Sequence, residues 1–346
     1  MTIVETARAV TGGVDTHLDV HVAAALDETG GVLGVESFPT TAAGYRQLHE
    51  WLCCFGEVHR VGVEGTGAYG AGLARFLHAQ DVEVIEVDRP NRQARRRQGK
   101  SDPLDAVEAA RAALSGKARG RAKTADGRVE AIRVLLVASR SIRDVRIKTL
   151  NQIRHLSFTA PDDLRERLFG LKPRALAETT AALRLRDRSD PVLAATKLAL
   201  GTLGRRVVDL SDQGAAIDAM LAQLVTATAP ELLGIYGCGI DTAAILLVAA
   251  GDNPERIRSE AAWAHLCGVA PVPASSGKVT RHRLNRGGNR QANHALWRIV
   301  FTRAGSDPRT RDYIERREKE GLSKPEIFRV LKRYVAREVY RVLPRH

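Results

Sequence analysis

Apolar and polar positions in the first forty residues follow a short period that predicts strands. GGVDTH and VHVAAALDE are apolar stretches with a turn between them. After the turn signal ETGG, VLGVESF alternates as a hairpin partner does. Residues 12–38 therefore predict three short strands. The period then lengthens: in TAAGYRQLHEWLCCF, Tyr45, Leu48, Leu52 and Phe55 recur at helical spacing. HRVGVEG predicts a fourth strand, residues 69–79 a helix, and VEVIEVD a fifth strand. SDPLDAVEAARAAL opens a further helix, with Ser101 or Asp102 as its cap and Pro103 suited to its first position.

Three strands, helix, strand, helix, strand, helix is the order of a ribonuclease-H-like α/β fold, in which a three-stranded meander continues into parallel strands. From 129 to about 225 the pattern is helical. In VEAIRVLLVASRSIRDVRIKTLNQIRHL, Leu135, Ile142, Val145, Ile153 and Leu156 share one face, and Arg133, Arg140, Lys148 and Arg154 fall largely opposite. This predicts a long, coiled-coil-like helix that packs on a partner. PELLGIYGCGIDTAAILLVAAGD reads as helix, Gly-rich hairpin, helix. It is similar to a helix-hairpin-helix, whose glycines let backbone N–H groups approach a phosphate, and Asp241 can cap its second helix. A basic loop, SSGKVTRHRLNRGGNR, follows, and the tail from 310 reads as a charged helix.

The 346 residues, 44% of them hydrophobic, provide for two or three units with real cores. No apolar run reaches membrane-spanning length, AAILLVAA at 243–250 being the best. The start MTIVETARAV has no secretion-signal pattern. The expectation is a soluble, cytoplasmic protein with no membrane partner. Cys53, Cys54, Cys238 and Cys267 form no C-x-x-C pair, so reduced, buried thiols are expected.

Charge changes this picture. The net is +13, distributed unevenly. Residues 1–90 carry 5 Lys+Arg against 13 Asp+Glu, and 161–271 carry 12 against 14. Residues 91–160 carry 17 against 6, and 272–346 carry 19 against 7. An acidic head followed by two basic blocks points to a polyanion, and without an amphipathic anchor or lipidation motif that polyanion is nucleic acid.

Candidate chemistry sits at the ends of the predicted strands. Asp15 lies in the first strand, Glu64 ends the fourth, and Asp102 and Asp105 start the helix after the fifth. In a ribonuclease-H-like sheet these points converge. Four carboxylates there repel one another unless divalent cations neutralise them. Mg²⁺ prefers such hard oxygen ligands, and two ions can clamp the attacking and leaving oxygens of a phosphodiester. The three-residue step from Asp102 to Asp105 keeps both on one helix face. Taken singly, Asp15 also reads as a turn residue and Asp102 as a plain cap. Asp19 and Asp88 read as surface or turn residues. Arg95, Arg96, Arg97 and Lys100 lie beside the site and suit phosphate contacts. In the later loop, Ser275 and Ser276 precede Lys278, Arg281, Arg283, Arg286 and Arg290. They read either as part of a flexible DNA-contacting loop or as a nucleophilic serine activated by its neighbours.

GVDTH, GVEGTGAYG, KSDPLDA and PVPASSGK…RLNRGGNR, in this order, resemble the DEDD transposases of bacterial insertion sequences, a family that includes the Piv-type DNA invertases. The resemblance runs from about 10 to 340. It implies a RuvC-like catalytic domain over 10–125, with Asp15, Glu64, Asp102 and Asp105 binding Mg²⁺. It implies a helical oligomerisation region over 126–228 and a C-terminal transposase domain over 229–346. That last domain would supply a serine that links covalently to DNA, and Ser276, directly before the glycine, matches best. A structured guide RNA from the element would pair with donor and target DNA. Gln291 and Ala292 in RGGNRQANHAL stand where many relatives place more basic or bulky residues.

Three rivals are weighed beside this reading. A nuclease or junction resolvase of the same fold would cut with metal-activated water and no serine. An actin-like ATPase would need a second Gly-rich nucleotide domain, and none follows residue 120. A non-enzymatic nucleic-acid-binding protein would be indifferent to the carboxylates.

Overall fold

The computed structural model describes residues 8–87, 101–116, 118, 120–123, 125, 127–185, 189–274 and 282–344. Strands β1 (Ala9–Thr16), β2 (Val20–Leu26) and β3 (Val32–Pro39) form the expected antiparallel meander. β4 (Glu57–Glu64) pairs parallel with β1, and β5 (Glu83–Val87) parallel with β4. A two-residue strand, β6 (Gly120–Arg121), closes the edge antiparallel to β5. The sheet order is β3-β2-β1-β4-β5-β6.

The strands alternate between two buried faces. On one, Val10, Val14, Val61 and Val63 pack with Leu48 and Leu52 of helix α1 (Ala42–Cys53) and Leu73 and Leu77 of α2 (Ala71–His78). Thr41 caps α1, its hydroxyl accepting from the Gly44 N–H at 3.1 Å. On the other, Val22, Ala24 and Leu26 pack with Ala106, Val107 and Ala110 of α3 (Asp102–Leu114). Ser101 occupies the cap position of α3, so Asp102 is its first helical residue.

Helix α3 approaches the sheet at backbone contact. Gly13 and Gly62 are register partners on β1 and β4. A Cβ on Gly13 would stand 2.2 Å from the Ala110 nitrogen and 2.3 Å from the Ala106 oxygen; one on Gly62 would stand 2.4 Å from the Ala109 oxygen. The helix meets this bare patch with Ala106, Ala109, Ala110 and Ala113, all buried. By alternation, Asp15 and Glu64 lie on the same face two residues beyond their glycines.

The chain divides into two compact units, and the sheet unit is not continuous in sequence: residues 250–259 belong to it. There the Asn253 side-chain amide donates to the Ala122 carbonyl at 2.8 Å. Arg256, deeply placed, is pushed below its usual pKa by burial, against the pull of Glu86 and Glu255.

The second unit, 128–249 with 260–344, is mostly helical. Its long helices α4 (Arg128–Phe158) and α7 (Pro191–Thr228) flank α5 (Asp162–Leu168) and α6 (Pro173–Ala181) in sequence. The seam of α4 differs from the predicted stripe: Val129, Ile132, Leu136 and Ser139 are buried in its first half, and Leu135 only half-buried. The seam tolerates small polar residues because Ser139 hydrogen-bonds Asp218 of α7 at 3.2 Å. A single turn (Pro230–Leu233, α8) and a Gly-rich turn lead into α9 (Ile240–Ala250), followed by α10 (Glu260–Leu266). Asp241 lies in the first turn of α9 and pairs with Arg143 at 3.0 Å. The predicted single tail helix is two, α12 (Pro308–Lys319) and α13 (Lys324–Val342), after α11 (Arg290–Ser306). The break is set by a capping box, in which the Glu326 carboxylate accepts from the Ser323 N–H at 2.9 Å.

Cys238 and Cys267 are buried as expected, but Cys53 and Cys54 are exposed, at the C-terminal end of α1. Burial pushes the Cys238 thiol up to about 11. Among the described residues no helix is long and apolar enough to cross a membrane.

Replacing Gly13 by alanine must push α3 off the sheet, because the obstacles are backbone atoms. Gly13→Ala is expected to cost about 3 kcal/mol in chemical unfolding. Gly67→Ala, whose Cβ meets nothing within 4 Å, is expected to stay within about 0.5 kcal/mol of the parent. Equal midpoints for the two variants would contradict the close approach.

Candidate active site

The contact between α3 and β1 sets Asp102 beside Asp15. Asp15 Oδ2 lies 3.2 Å from His17 Nε2, and the same nitrogen lies 3.4 Å from Asp102 Oδ2. His17 thus stands between a carboxylate of the strand and one of the helix. Neither Asp15 Oδ2 nor His17 Nε2 has a partner with hydrogen-bond alignment, so these are ion-pair distances without directed bonds. One ligand atom from each of Asp15, His17 and Asp102 lies within 4.8 Å of the others.

The environments of the carboxylates differ. The Asp15 side chain is 9% exposed, and that of Asp102 is 45% exposed. Burial raises the Asp15 pKa above the ordinary carboxylate value; His17 opposes the rise, and the nearby charges of Asp105 and Asp102 add to it. Asp105, one turn into α3, is buried. Glu64 is half-buried at the end of β4, and its carbonyl accepts from the Thr16 hydroxyl at 2.7 Å, locking the two strand ends together. The described cluster of possible metal ligands comprises Asp15, His17 and Asp102, and does not extend to the Glu64 and Asp105 carboxylates. A cavity of about 570 Å³ opens here, with His17, Asp19, Tyr69 and Asp102 in its wall. Asp19 is exposed in a bend, as expected of a surface or turn residue, and lies at the wall of this cavity.

His17 was visible in GVDTH: two residues past Asp15, it falls on the same side of an extended chain. Asp88 and the basic residues Arg95, Arg96, Arg97 and Lys100 lie outside the described residues, as do Ser275, Ser276, Lys278 and Arg281.

Around the later loop, β7 (Val272–Pro273) pairs antiparallel with β8 (His282–Arg283); Ser275 and Ser276 lie between them in sequence. Arg283, Arg286 and Arg290 are exposed. Asn289 caps α11, accepting from the Gln291 and Ala292 N–H groups at 3.0 Å. Ala292 is fully buried and belongs to the core, whereas Gln291 is exposed. One turn on, His294, Trp297 and Phe301 form an exposed ladder of stacked rings, with centroids 5.5 and 5.0 Å apart. With Arg290 they follow the i, i+4, i+7, i+11 spacing of one helix face, a signal present in the sequence but dispersed among charged residues.

Comparison with known proteins agrees with these two regions. A family model for transposases of the IS110 DEDD type matches residues 12–159. A second, described as the transposase IS116/IS110/IS902 family, matches residues 229–315. The chain is 32% identical over 123 residues to the insertion element IS110 uncharacterized 43.6 kDa protein of Streptomyces coelicolor. That stretch is 35% of this chain and spans 30% of the relative's length.

The raised Asp15 pKa has a consequence for stability. The folded state holds the Asp15 proton more tightly than the unfolded chain does. Stability from this group is therefore greatest below the ordinary carboxylate value and falls as pH rises through the folded value. In chelator, Asp15→Asn is expected to melt a few degrees above the parent at pH about 7.5, with the gap closing toward pH about 4. A variant that melts lower at both pH values would contradict this electrostatic account.

Proposed function

The chain belongs to the IS110 family of transposases, and from that premise we propose that it cuts and rejoins DNA strands for an insertion sequence, using a metal-binding carboxylate site and a serine nucleophile. The observation that carries this reading is the meeting of Asp15 and Asp102 around His17 at the end of β1. In our assignment, residues 10–125 are a RuvC-like catalytic domain of ribonuclease-H fold, which the meander followed by two parallel strands supports. Residues 126–228 are an oligomerisation region and 229–346 the transposase domain.

The donor set fits a divalent cation. Two carboxylate oxygens and an imidazole nitrogen stand within 4.8 Å of one another, and two of these atoms lack aligned hydrogen-bond partners. Asp15, Asp102, Glu64 and Asp105 would hold Mg²⁺, with His17 as an alternative donor that suits softer ions such as Mn²⁺. A bound divalent ion supplies positive charge against the scissile phosphate and its leaving oxygen. The buried Asp15 carboxylate, fixed by the α3 contact, orients the site. Asp102, exposed, faces incoming substrate.

The covalent steps belong to Ser276. Its hydroxyl oxygen attacks the scissile phosphorus, its proton passes to solvent, and the bond to the leaving DNA oxygen breaks, that oxygen taking up a proton. A hydroxyl of a second DNA end then attacks the phosphoserine, losing its proton to solvent, and expels the serine oxygen, which takes up a proton in turn. One phosphodiester replaces another, so no external energy source enters.

DNA contacts are assigned to Arg95, Arg96, Arg97, Lys100, Lys278, Arg281, Arg283, Arg286 and Arg290, with the His294–Trp297–Phe301 ladder as a stacking surface. A guide RNA of the element shares the basic surface. Exposed Val134, Val137 and Ile147 on α4, and Leu198 and Met220 on α7, suit burial against further copies in a homo-oligomer acting on cytoplasmic DNA.

The test is a junction assay in cells supplying the protein and its native flanking DNA. Wild type is expected to form rejoined junctions. Asp102→Asn and Ser276→Ala, with folding verified, are expected to lose them by about 10³-fold or more. Cutting that persists in Ser276→Ala would support a RuvC-like nuclease or resolvase instead. Junctions that persist in Asp102→Asn would remove the carboxylate site from the mechanism.

A further inference from the structure

The helical unit holds a cavity of about 520 Å³ with no part in the steps above. Tyr236, from the Gly-rich turn before α9, forms one side. Tyr313 of α12 and Tyr334 of α13 line it as well, over an apolar floor of Val300, Leu331 and Val335. Tyr236 is 55% exposed and Tyr334 is 44% exposed, a large aromatic area to leave in water. Tyr313 meets Tyr334 edge to face with centroids 6.1 Å apart.

The polar groups of the wall are already arranged. The Tyr236 hydroxyl bonds Ser306 Oγ at 2.8 Å, and its backbone carbonyl accepts from Arg303 Nε at 2.9 Å. The same guanidinium forks onto both Glu338 oxygens at 3.2 and 2.7 Å. Asp307 accepts from the Thr310 N–H at 3.2 Å and its hydroxyl at 2.5 Å. Both acidic groups of the cavity thus have committed partners. Arg309, exposed in the same wall, forms no ion pair among the described residues, and Arg316 stands 5.3 Å over the Tyr313 ring. The result is a preorganised concavity with aromatic faces, in whose wall Arg303 and Arg309 stand against Asp307 and Glu338; Arg303 is spent on Glu338 and Arg309 is left to meet a ligand, within a block carrying 19 Lys+Arg against 7 Asp+Glu.

A planar ligand with a single anionic group that can reach Arg309 suits this wall. A nucleobase offers a π-face to tyrosine and its phosphate offers charge to Arg309, and a volume of this size takes one nucleotide. A base inside a duplex presents only its edge, so the faces are accessible only when the base is unpaired. We propose that this cavity seats one unpaired nucleotide of DNA or RNA, its base against Tyr236 and Tyr334 and its phosphate toward Arg309. The proposal rests on the reading of the chain as a nucleic-acid-processing protein, and adds to it a site for a single-stranded segment.

The test uses the full chain with three probes of one sequence: a single-stranded DNA and a single-stranded RNA, each carrying 2-aminopurine, and the DNA duplex. Anisotropy reports affinity, and 2-aminopurine quenching reports stacking. Tyr334→Ala is expected to weaken single-strand binding on the order of tenfold and to relieve quenching, with duplex affinity unchanged. Tyr334→Phe keeps the ring and is expected to bind as the parent does. Arg309→Ala is expected to weaken single-strand binding several-fold with a shallower salt dependence. Loss confined to the DNA strand or to the RNA strand supports the site and identifies its source; loss on both supports a site for the shared chemistry. Unchanged single-strand affinity in Tyr334→Ala, an equal loss on duplex, or a parent that binds no single strand overturns the proposal. If junction formation and duplex binding survive that result, strand exchange stands and only this site falls. A parent that binds none of the three probes sinks both readings.

Discussion

The sheet unit depends on one close approach, helix α3 lying with its backbone against Gly13 and Gly62. These paired glycines remove the side chains that would otherwise hold a helix and a sheet about 10 Å apart. The helix reciprocates with alanines. A Cβ at either glycine would meet helix backbone at under 2.5 Å, an obstacle that no rotamer change relieves. Because Asp102 and Asp105 occupy the first turn of this helix, and Asp15 and Glu64 stand two residues beyond the glycines, the packing contact also sets the spacing of the carboxylates. Stability and site geometry are therefore one constraint.

That constraint concentrates like charge, which the protein accommodates unevenly. Asp15 is buried and its pKa is raised by burial and by Asp105 and Asp102. Asp102 keeps contact with water, and the His17 imidazole stands between the two. Both helix carboxylates also sit at the positive end of the α3 dipole, which offsets part of the repulsion. A cluster held this way gains most from a cation. In the function we propose, the basic blocks elsewhere in the chain would supply the complementary attraction for a phosphate backbone that the acidic site alone would repel.

Strand and helix periodicity was legible because both faces of the sheet are apolar and the turns carry their usual residues. The three carboxylate motifs could be placed from strand order alone. Other features had no local signal. Gly13 and Gly62 look like ordinary strand glycines until a helix is laid across them. The first half of the α4 seam, Val129, Ile132, Leu136 and Ser139, runs out of phase with the expected stripe, and Ser139 joins it by a hydrogen bond to Asp218. The tail breaks at a capping box inside a uniformly charged run. Residues 250–259 join the sheet unit through contacts such as Asn253 with the Ala122 carbonyl, a tertiary event that no spacing encodes. Cys53 and Cys54 follow apolar neighbours yet end a helix at the surface.

The most direct test of the central claim is anomalous diffraction from crystals of the full chain soaked in Mn²⁺. The account predicts a peak between the Asp15 and Asp102 carboxylates, lost in Asp15→Asn while α3 stays in place. A peak-free site in the parent, with Asp15 and Asp102 still gathered around His17, would mean that the cluster is a structural ion pair and that the carboxylates do not act through a metal.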